Sequence, residues 1–252
     1  MTFLTQLRKE IMEQFRTRRF LVVFIVLLVW GMLSPLTAKF VGEIFKSIPE
    51  MAPYAALMPP PTVTDAIGQY LKNVNQFMVI LALLVTMGSV AVEKDKGTAA
   101  LMLVKPLPRS IFLLAKFLAL LFTFGLSLLA AAIAGYYYTY YLFQPLDIGA
   151  FLVLNLFMLV EALVYVAITL FASTLVKSQA AAAGIGFGGL LFLAILGSYP
   201  PLKEKLPDQL VQWGAGLMSG SHASYWPALW VSLGIILACF LGAWLVFRKQ
   251  EL

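Results

Sequence analysis

The chain alternates between long apolar runs and short polar segments. Six of the runs, each of roughly 20 or more residues, contain almost no charge and are long enough to cross a bilayer as an α-helix. Because only helices and closed barrels satisfy their backbone hydrogen bonds inside a membrane, the pattern predicts an all-α polytopic membrane protein with six transmembrane helices. The predicted spans are 20–38, 75–92, 111–141, 148–176, 178–199 and 228–247.

Residues 1–19 have a different periodicity. Leu4, Leu7, Ile11 and Phe15 recur at spacings of three and four, and charged residues occupy the other faces. This pattern predicts an amphipathic helix that lies on the inner leaflet of the membrane. Basic residues before an apolar run also occur in signal peptides, but this polar arm is long and no small-residue cleavage site follows it. The first span is therefore expected to be retained.

The composition agrees with a membrane protein. The 252 residues are 61% hydrophobic and 12% charged, whereas soluble domains contain about 25% charged residues. The single cysteine, Cys239, lies inside an apolar run, which excludes an internal disulfide and a cysteine metal cluster.

The positive charges predict an orientation. With the N-terminus in the cytoplasm, 13 of the 18 Lys and Arg residues face the cytoplasm and five face outside. Both termini are therefore expected to be cytoplasmic, in a plasma membrane. The net charge of +6 is then a topology signal and a contact for membrane lipid headgroups, and no nucleic-acid partner is expected.

The loop between the second and third spans carries the most distinctive residues. Gly97 permits a left-handed turn, Thr98 is a good N-cap, and Pro106 cannot lie inside the helix that they would begin. These residues predict a short helix of about two turns, with Leu101 and Met102 at its apolar tip. The alternative is an ordinary connecting loop whose basic residues only set the topology.

Six residues of this loop and the next span stand in a recognisable order. They are Glu93, Gly97, Thr98, Pro106, Arg109 and Lys116. In this order they resemble the cytoplasmic loop of type-2 ATP-binding-cassette (ABC) exporter permeases. The resemblance implies that residues 93–110 form a coupling loop, in which the short helix with Leu101 and Met102 contacts an ATPase.

The resemblance extends over the whole chain, as a single ABC-2-type transmembrane domain of residues 1–252. It implies an elbow helix at 1–19 and a re-entrant segment between the fifth and sixth spans. It also implies an ATP-driven exporter of prokaryotic type, built from two permease subunits, identical or related, and two separate ATPase subunits. The sequence contains no phosphate-binding Gly-x-x-x-x-Gly-Lys-Ser/Thr motif, so ATP is expected on the partner. No catalytic, cofactor-binding or metal-binding residue is expected in this chain.

Two features inside the spans are candidates for a translocation path or for helix packing. Glu161 is an ionisable residue deep in a span, with Tyr165 one turn further on, and such residues usually face protein or water. It either lines or gates a path, or is a structural group that is protonated or hydrogen-bonded to a neighbouring helix. Gly184 and Gly188, four residues apart, allow close helix contact within the chain, at a dimer seam or along a smooth path.

Two other classes of protein remain as alternatives to a permease. One is a membrane scaffold or facilitative channel unrelated to ABC transporters. The other is an intramembrane enzyme, which is disfavoured because no catalytic constellation lies within the predicted spans. Outside them, His222 and the serines around it have no acidic partner nearby in the chain.

Overall fold

The computed structural model describes residues 3–55, 59–98, 108–143, 145–221 and 223–250. Within these ranges the chain is helical and contains no strand. The helices are α1 (Phe3–Arg16), α2 (Arg19–Ser47), α3 (Ala52–Ala55), α4 (Val63–Thr86), α5 (Ala91–Asp95), α6 (Arg109–Leu142), α7 (Ile148–Leu175), α8 (Gln179–Gly197), α9 (Pro200–Lys203), α10 (Asp208–Met218) and α11 (Trp226–Lys249).

Six helical stretches in the described ranges are long and apolar enough to cross a membrane, which confirms the predicted fold class. They are α2, the stretch Val63–Asp95 that combines α4 with α5, and then α6, α7, α8 and α11. The first of them is longer than the apolar run predicts, because α2 continues through Pro35 and beyond Lys39 to Ser47. The apolar run marks the part that fits the hydrocarbon core, whereas the helix itself continues into the polar region.

The second span also begins earlier than the apolar run. α4 starts at Val63 because Thr62 and Asp65 form a reciprocal capping box. The Thr62 amide donates to the Asp65 carboxylate at 2.8 Å, and the Asp65 amide donates to the Thr62 hydroxyl at 3.3 Å. One helix therefore includes both the polar residues after the cap and the predicted span as far as Thr86.

The core lies between α2, α4, α6 and α7. Buried side chains of all four helices contact one another, among them Leu27, Met78, Phe124 and Met158. α2 packs most closely on α6, and α7 contacts α8, α10 and α11 as well. The outer faces of α8 and α11 are mostly exposed in the single chain, as expected for helices that contact lipid or another subunit.

The close contact of α2 with α6 depends on Gly31. A Cβ at this position would lie 2.5 Å from the carbonyl oxygen of Ala131, which is backbone and cannot rotate away. We expect Gly31→Ala to lower the free energy of unfolding by about 1–3 kcal/mol, because the two helices must separate. Gly42→Ala in the same helix is the matched control, since a Cβ there meets nothing within 4 Å. Thermal unfolding of the purified variants measures the difference, and equal stability of the two would contradict this packing.

α1 presents its polar side to the rest of the protein. Gln6, Glu10 and Gln14, each one turn apart, are buried, while Leu4 is 72% and Phe15 is 50% exposed. α1 is therefore a helix with a buried polar stripe and an apolar side that is half-exposed to exposed, apart from the contact of Phe15 with Phe20. That it lies on the membrane surface stays a prediction.

The segment between the fifth and sixth spans contains α9 and α10. α10 packs against α7, and Gly214 lies so close to Leu154 that a Cβ would be 2.7 Å from its side chain. Trp213 stacks on Phe157 with ring centroids 4.7 Å apart. This is the segment for which the re-entrant helix was predicted, and α10 is anchored to the first half of α7 there.

Candidate functional site

A buried cluster of charges joins α1, α5 and α6 at one end of the bundle. The Lys116 ammonium lies 3.0 Å from the Glu10 carboxylate and 2.9 Å from the Glu93 carboxylate. Lys9 contacts the same two carboxylates, at 3.2 and 3.3 Å. The side chains of Lys116 and Glu10 are each 3% exposed, so this is an interior ion-pair network and not a surface contact.

Each member of the cluster is held in place by its own helix. Glu10 lies on the buried polar stripe of α1, where Gln6 donates to it at 2.8 Å. Lys116 lies in the first turns of α6, with its ammonium 4.8 Å from the centre of the Phe112 ring. Lys116 therefore contacts one carboxylate from α1 and one from α5, and links the two helices to α6.

Lys9 lies on the side of the cluster that is nearest to solvent. Burial alone would lower the pKa of Lys9, but the nearby carboxylates of Glu10, Glu93 and Glu13 outweigh it and raise that pKa. Lys9 therefore remains charged. Two carboxylates in the interior thus face two ammonium groups. Pairing of this kind is needed to offset the free-energy cost of removing the charges from water.

A break in the second span brings Glu93 to this cluster. α4 ends at Thr86 and α5 begins at Ala91. The Ser173 hydroxyl of α7 accepts hydrogen bonds from the amides of Val90 and Ala91, at 3.1 and 3.0 Å, and donates to the Met87 carbonyl at 2.8 Å. The backbone groups freed by the break are satisfied in this way, so α5 is fixed against the end of α7.

The residues after α5 begin the predicted coupling loop. Gly97 has a φ of +67°, in the left-handed region that favours glycine, as the turn prediction requires. The Thr98 hydroxyl donates to the Glu93 carbonyl at 3.2 Å. Leu101, Met102 and Pro106 lie outside the described residues, so the short helix remains a prediction from the sequence.

The other side of the loop is tied to the end of α11. Arg109, the first residue of α6, donates to the carbonyls of Phe247, Arg248 and Gln250 at 2.5, 2.8 and 2.9 Å. A cation at a helix C-terminus also interacts favourably with the helix dipole. Lys94 reinforces this region by donating to the Thr174 carbonyl at 2.8 Å and to the Gln250 side chain at 3.1 Å.

The structure therefore brings Glu93, Gly97, Thr98 and Arg109, which flank residues 99–107 in the sequence, to one end of the bundle. Sequence reasoning missed the ion pair of Glu10 with Lys116, the anchoring role of Ser173 and the contacts of Lys94. A signal was present in the sequence, because Glu10 occurs on a helix face that repeats as Gln6, Glu10 and Gln14. A polar stripe on one helix, together with a lysine within the apolar run of another, indicates that the two helices share a buried ion pair.

Glu161 lies elsewhere, deep in α7 and fully buried. The Tyr165 hydroxyl, one turn further along the same helix, donates to its Oε1 atom. Its Oε2 atom has no hydrogen-bond partner among the described residues. Both readings of Glu161, as a residue that lines a path and as a structural group, stay predictions.

Gly184 and Gly188 do not pack within the described chain. A Cβ on either would meet nothing within 4 Å, so the interpretation of intrachain packing is wrong for both. Gly186 and Gly189 perform that role, because a Cβ on them would lie 3.1 Å from Leu83 and 2.7 Å from Ile168. Gly184 and Gly188 lie on the exposed side of α8, where a dimer seam or a path wall remains as the expectation.

Six apolar helical stretches and a charged cluster at one end define a multi-pass membrane protein. The sequence matches the family described as "ABC-2 family transporter protein" over residues 4–252, so the chain belongs to this family and is the membrane component of a transporter. It is also 26% identical over 253 residues to the "Uncharacterized transmembrane protein YxlG" of Bacillus subtilis (strain 168). That alignment covers 97% of this chain and 96% of the relative.

Proposed function

We propose that this chain is the permease subunit of an ATP-driven exporter in a prokaryotic plasma membrane. Two permease subunits, identical or related, would form the membrane part, and two separate ATPase subunits would bind beneath them. Family membership supports the permease role over a scaffold or an unrelated channel. The absence of a phosphate-binding loop from the sequence supports a separate ATPase.

The observation that carries the proposal is the shared position of Lys116 between Glu10 and Glu93. Both contacts are close to 3 Å and both are buried, so displacing α5 also displaces α1 and the start of α6. Residues 99–107 connect α5 to α6 and are therefore flanked on both sides by this cluster. A force applied to the loop by a closing ATPase would be passed to three helices together.

The distribution of charge supports an orientation in which this end of the bundle is cytoplasmic. α1, its junction with α2, the residues that flank the loop and the end of α11 lie at this end, and together with the loop they carry eleven of the 18 Lys and Arg residues. Basic residues are concentrated on the cytoplasmic side of membrane proteins. The ATPase, which needs cytoplasmic ATP, would then bind at the same end.

The proposal is tested by recovering partners of the tagged chain from its native membranes. We expect an ABC ATPase to co-purify at one copy per permease subunit, in a complex with two copies of each. Quantitative mass spectrometry and the mass of the complex measure the stoichiometry. Recovery of an intact permease assembly without any nucleotide-binding subunit would contradict the proposal.

A further inference from the structure

The side of α1 that faces away from the bundle carries two arginines. Arg8, Met12 and Arg16 follow one another at a spacing of about one turn, and all three are exposed. They are offset by two positions, or about 200° around the helix, from the buried polar stripe. Leu4 and Phe15 are exposed as well, so cationic and apolar side chains share this free face of α1.

The turn between α1 and α2 adds a third exposed arginine, Arg18. Its φ is +60°, and in the described ranges it is the one residue other than glycine with a positive φ. The left-handed region disfavours a side chain that begins with a Cβ, and glycine occupies it most readily. The backbone therefore does not explain an arginine here, which indicates a role for its guanidinium group.

The acids of this segment do not neutralise the three arginines. Glu10 and Glu13 are the acids of residues 3–19, and both contact Lys9, at 3.2 and 3.5 Å. Among the described residues, no carboxylate forms an ion pair with any of the three arginines. The Lys116 cluster thus engages the acids, and the free face of α1 and the turn after it keep an uncompensated positive charge.

We propose that Arg8, Arg16 and Arg18 bind the phosphate groups of anionic phospholipids, while the apolar side chains of the free face contact the acyl chains. A guanidinium group forms bidentate hydrogen bonds with phosphate, and an anionic leaflet attracts basic residues that stand among apolar ones. A zwitterionic phospholipid also has a phosphate, but its own ammonium group compensates that charge. The site therefore selects anionic lipids. It lies within one chain and does not depend on the proposed ATPase assembly.

A photo-crosslinking amino acid at position 12 samples the lipids between Arg8 and Arg16. The purified chain, without an ATPase, is placed in nanodiscs with equal amounts of anionic phosphatidylglycerol and zwitterionic phosphatidylcholine, and mass spectrometry measures the ratio of the two lipid adducts. The same amino acid in place of Leu237, which is 58% exposed on α11, reports the surrounding bilayer. We expect the ratio at position 12 to be at least about fivefold higher, the factor that corresponds to the attraction of one basic residue.

Matched variants test whether the positive charge is responsible. Exchange of all three arginines for Gln should bring the ratio at position 12 to within about twofold of the ratio at position 237, whereas exchange for Lys should keep most of the preference. Equal ratios at the two positions of the otherwise unchanged chain would overturn the proposal, as would a preference that survives the Gln exchange. Either failure would leave the recovery of an ATPase, and so the proposed function, unaffected.

Arg18→Gly separates the contact with lipid from the effect on the backbone. In nanodiscs of phosphatidylcholine, we expect the variant to unfold at a higher temperature than the unchanged chain, because glycine removes the cost of the left-handed conformation. In nanodiscs of phosphatidylglycerol this gain should be reduced or reversed, because the lost charge weakens the contact with lipid. An equal gain in both lipids would contradict the assignment of Arg18 to the site.

Discussion

Lys116→Met is expected to lower the free energy of unfolding by about 3–5 kcal/mol, enough to unfold a marginally stable chain. The substitution keeps the apolar stem but removes the cation that contacts both Glu10 and Glu93. The two carboxylates, 3% and 12% exposed, are then buried with only Lys9 to compensate them. Thermal unfolding of the purified chain in nanodiscs measures the loss.

Two controls separate this effect from a general loss of positive charge. Lys205→Met removes an exposed lysine and should change stability by less than about 0.5 kcal/mol. Glu93→Gln combined with Lys116→Met should be less destabilising than Lys116→Met alone, because one unpaired carboxylate is also removed. A Lys116→Met chain as stable as Lys205→Met would show that the cluster does not hold these helices together.

Leu101→Asp combined with Met102→Asp is expected to abolish ATPase binding. If these side chains insert into an apolar groove of the ATPase, two unpaired charges would be buried, at a cost of several kcal/mol. A cost of about 4 kcal/mol corresponds to roughly a thousandfold weaker binding. The ATPase recovered with the tagged permease, by quantitative mass spectrometry, measures this loss.

The matched control exchanges the two side chains, as Leu101→Met combined with Met102→Leu. It keeps the apolar volume and should retain the ATPase. The double-Asp chain should still insert and unfold at the wild-type temperature, because the loop lies outside the predicted spans. Retention of the ATPase by the double-Asp chain at wild-type stoichiometry would exclude this loop as the contact.

The number of spans could be predicted from the sequence because each apolar run must satisfy its own backbone in the membrane. The turn at Gly97 could also be predicted, since a positive φ favours glycine. Both properties are local. The family resemblance, confirmed over residues 4–252, added the order of Glu93, Arg109 and Lys116 but not their contacts.

The contacts themselves could not be predicted, because they join distant parts of the chain. Glu10 and Lys116 are separated by 106 positions, and only the packing of α1 on α6 brings them together. The face of α8 that packs was also missed, since Gly184 and Gly186 are equally small and differ only in what lies opposite. Periodicity identifies a helix, whereas tertiary packing decides which of its faces is buried.

We propose that the loop between α5 and α6 contacts the ATPase. A photo-crosslinking amino acid at position 102 tests it most directly, in a permease that still co-purifies with its ATPase. The same amino acid at position 205, on an exposed residue near α9, is the control. We expect irradiation to join the ATPase to position 102 and not to position 205. Efficient cross-linking at 205, or none at 102 while the ATPase remains bound, would contradict the account.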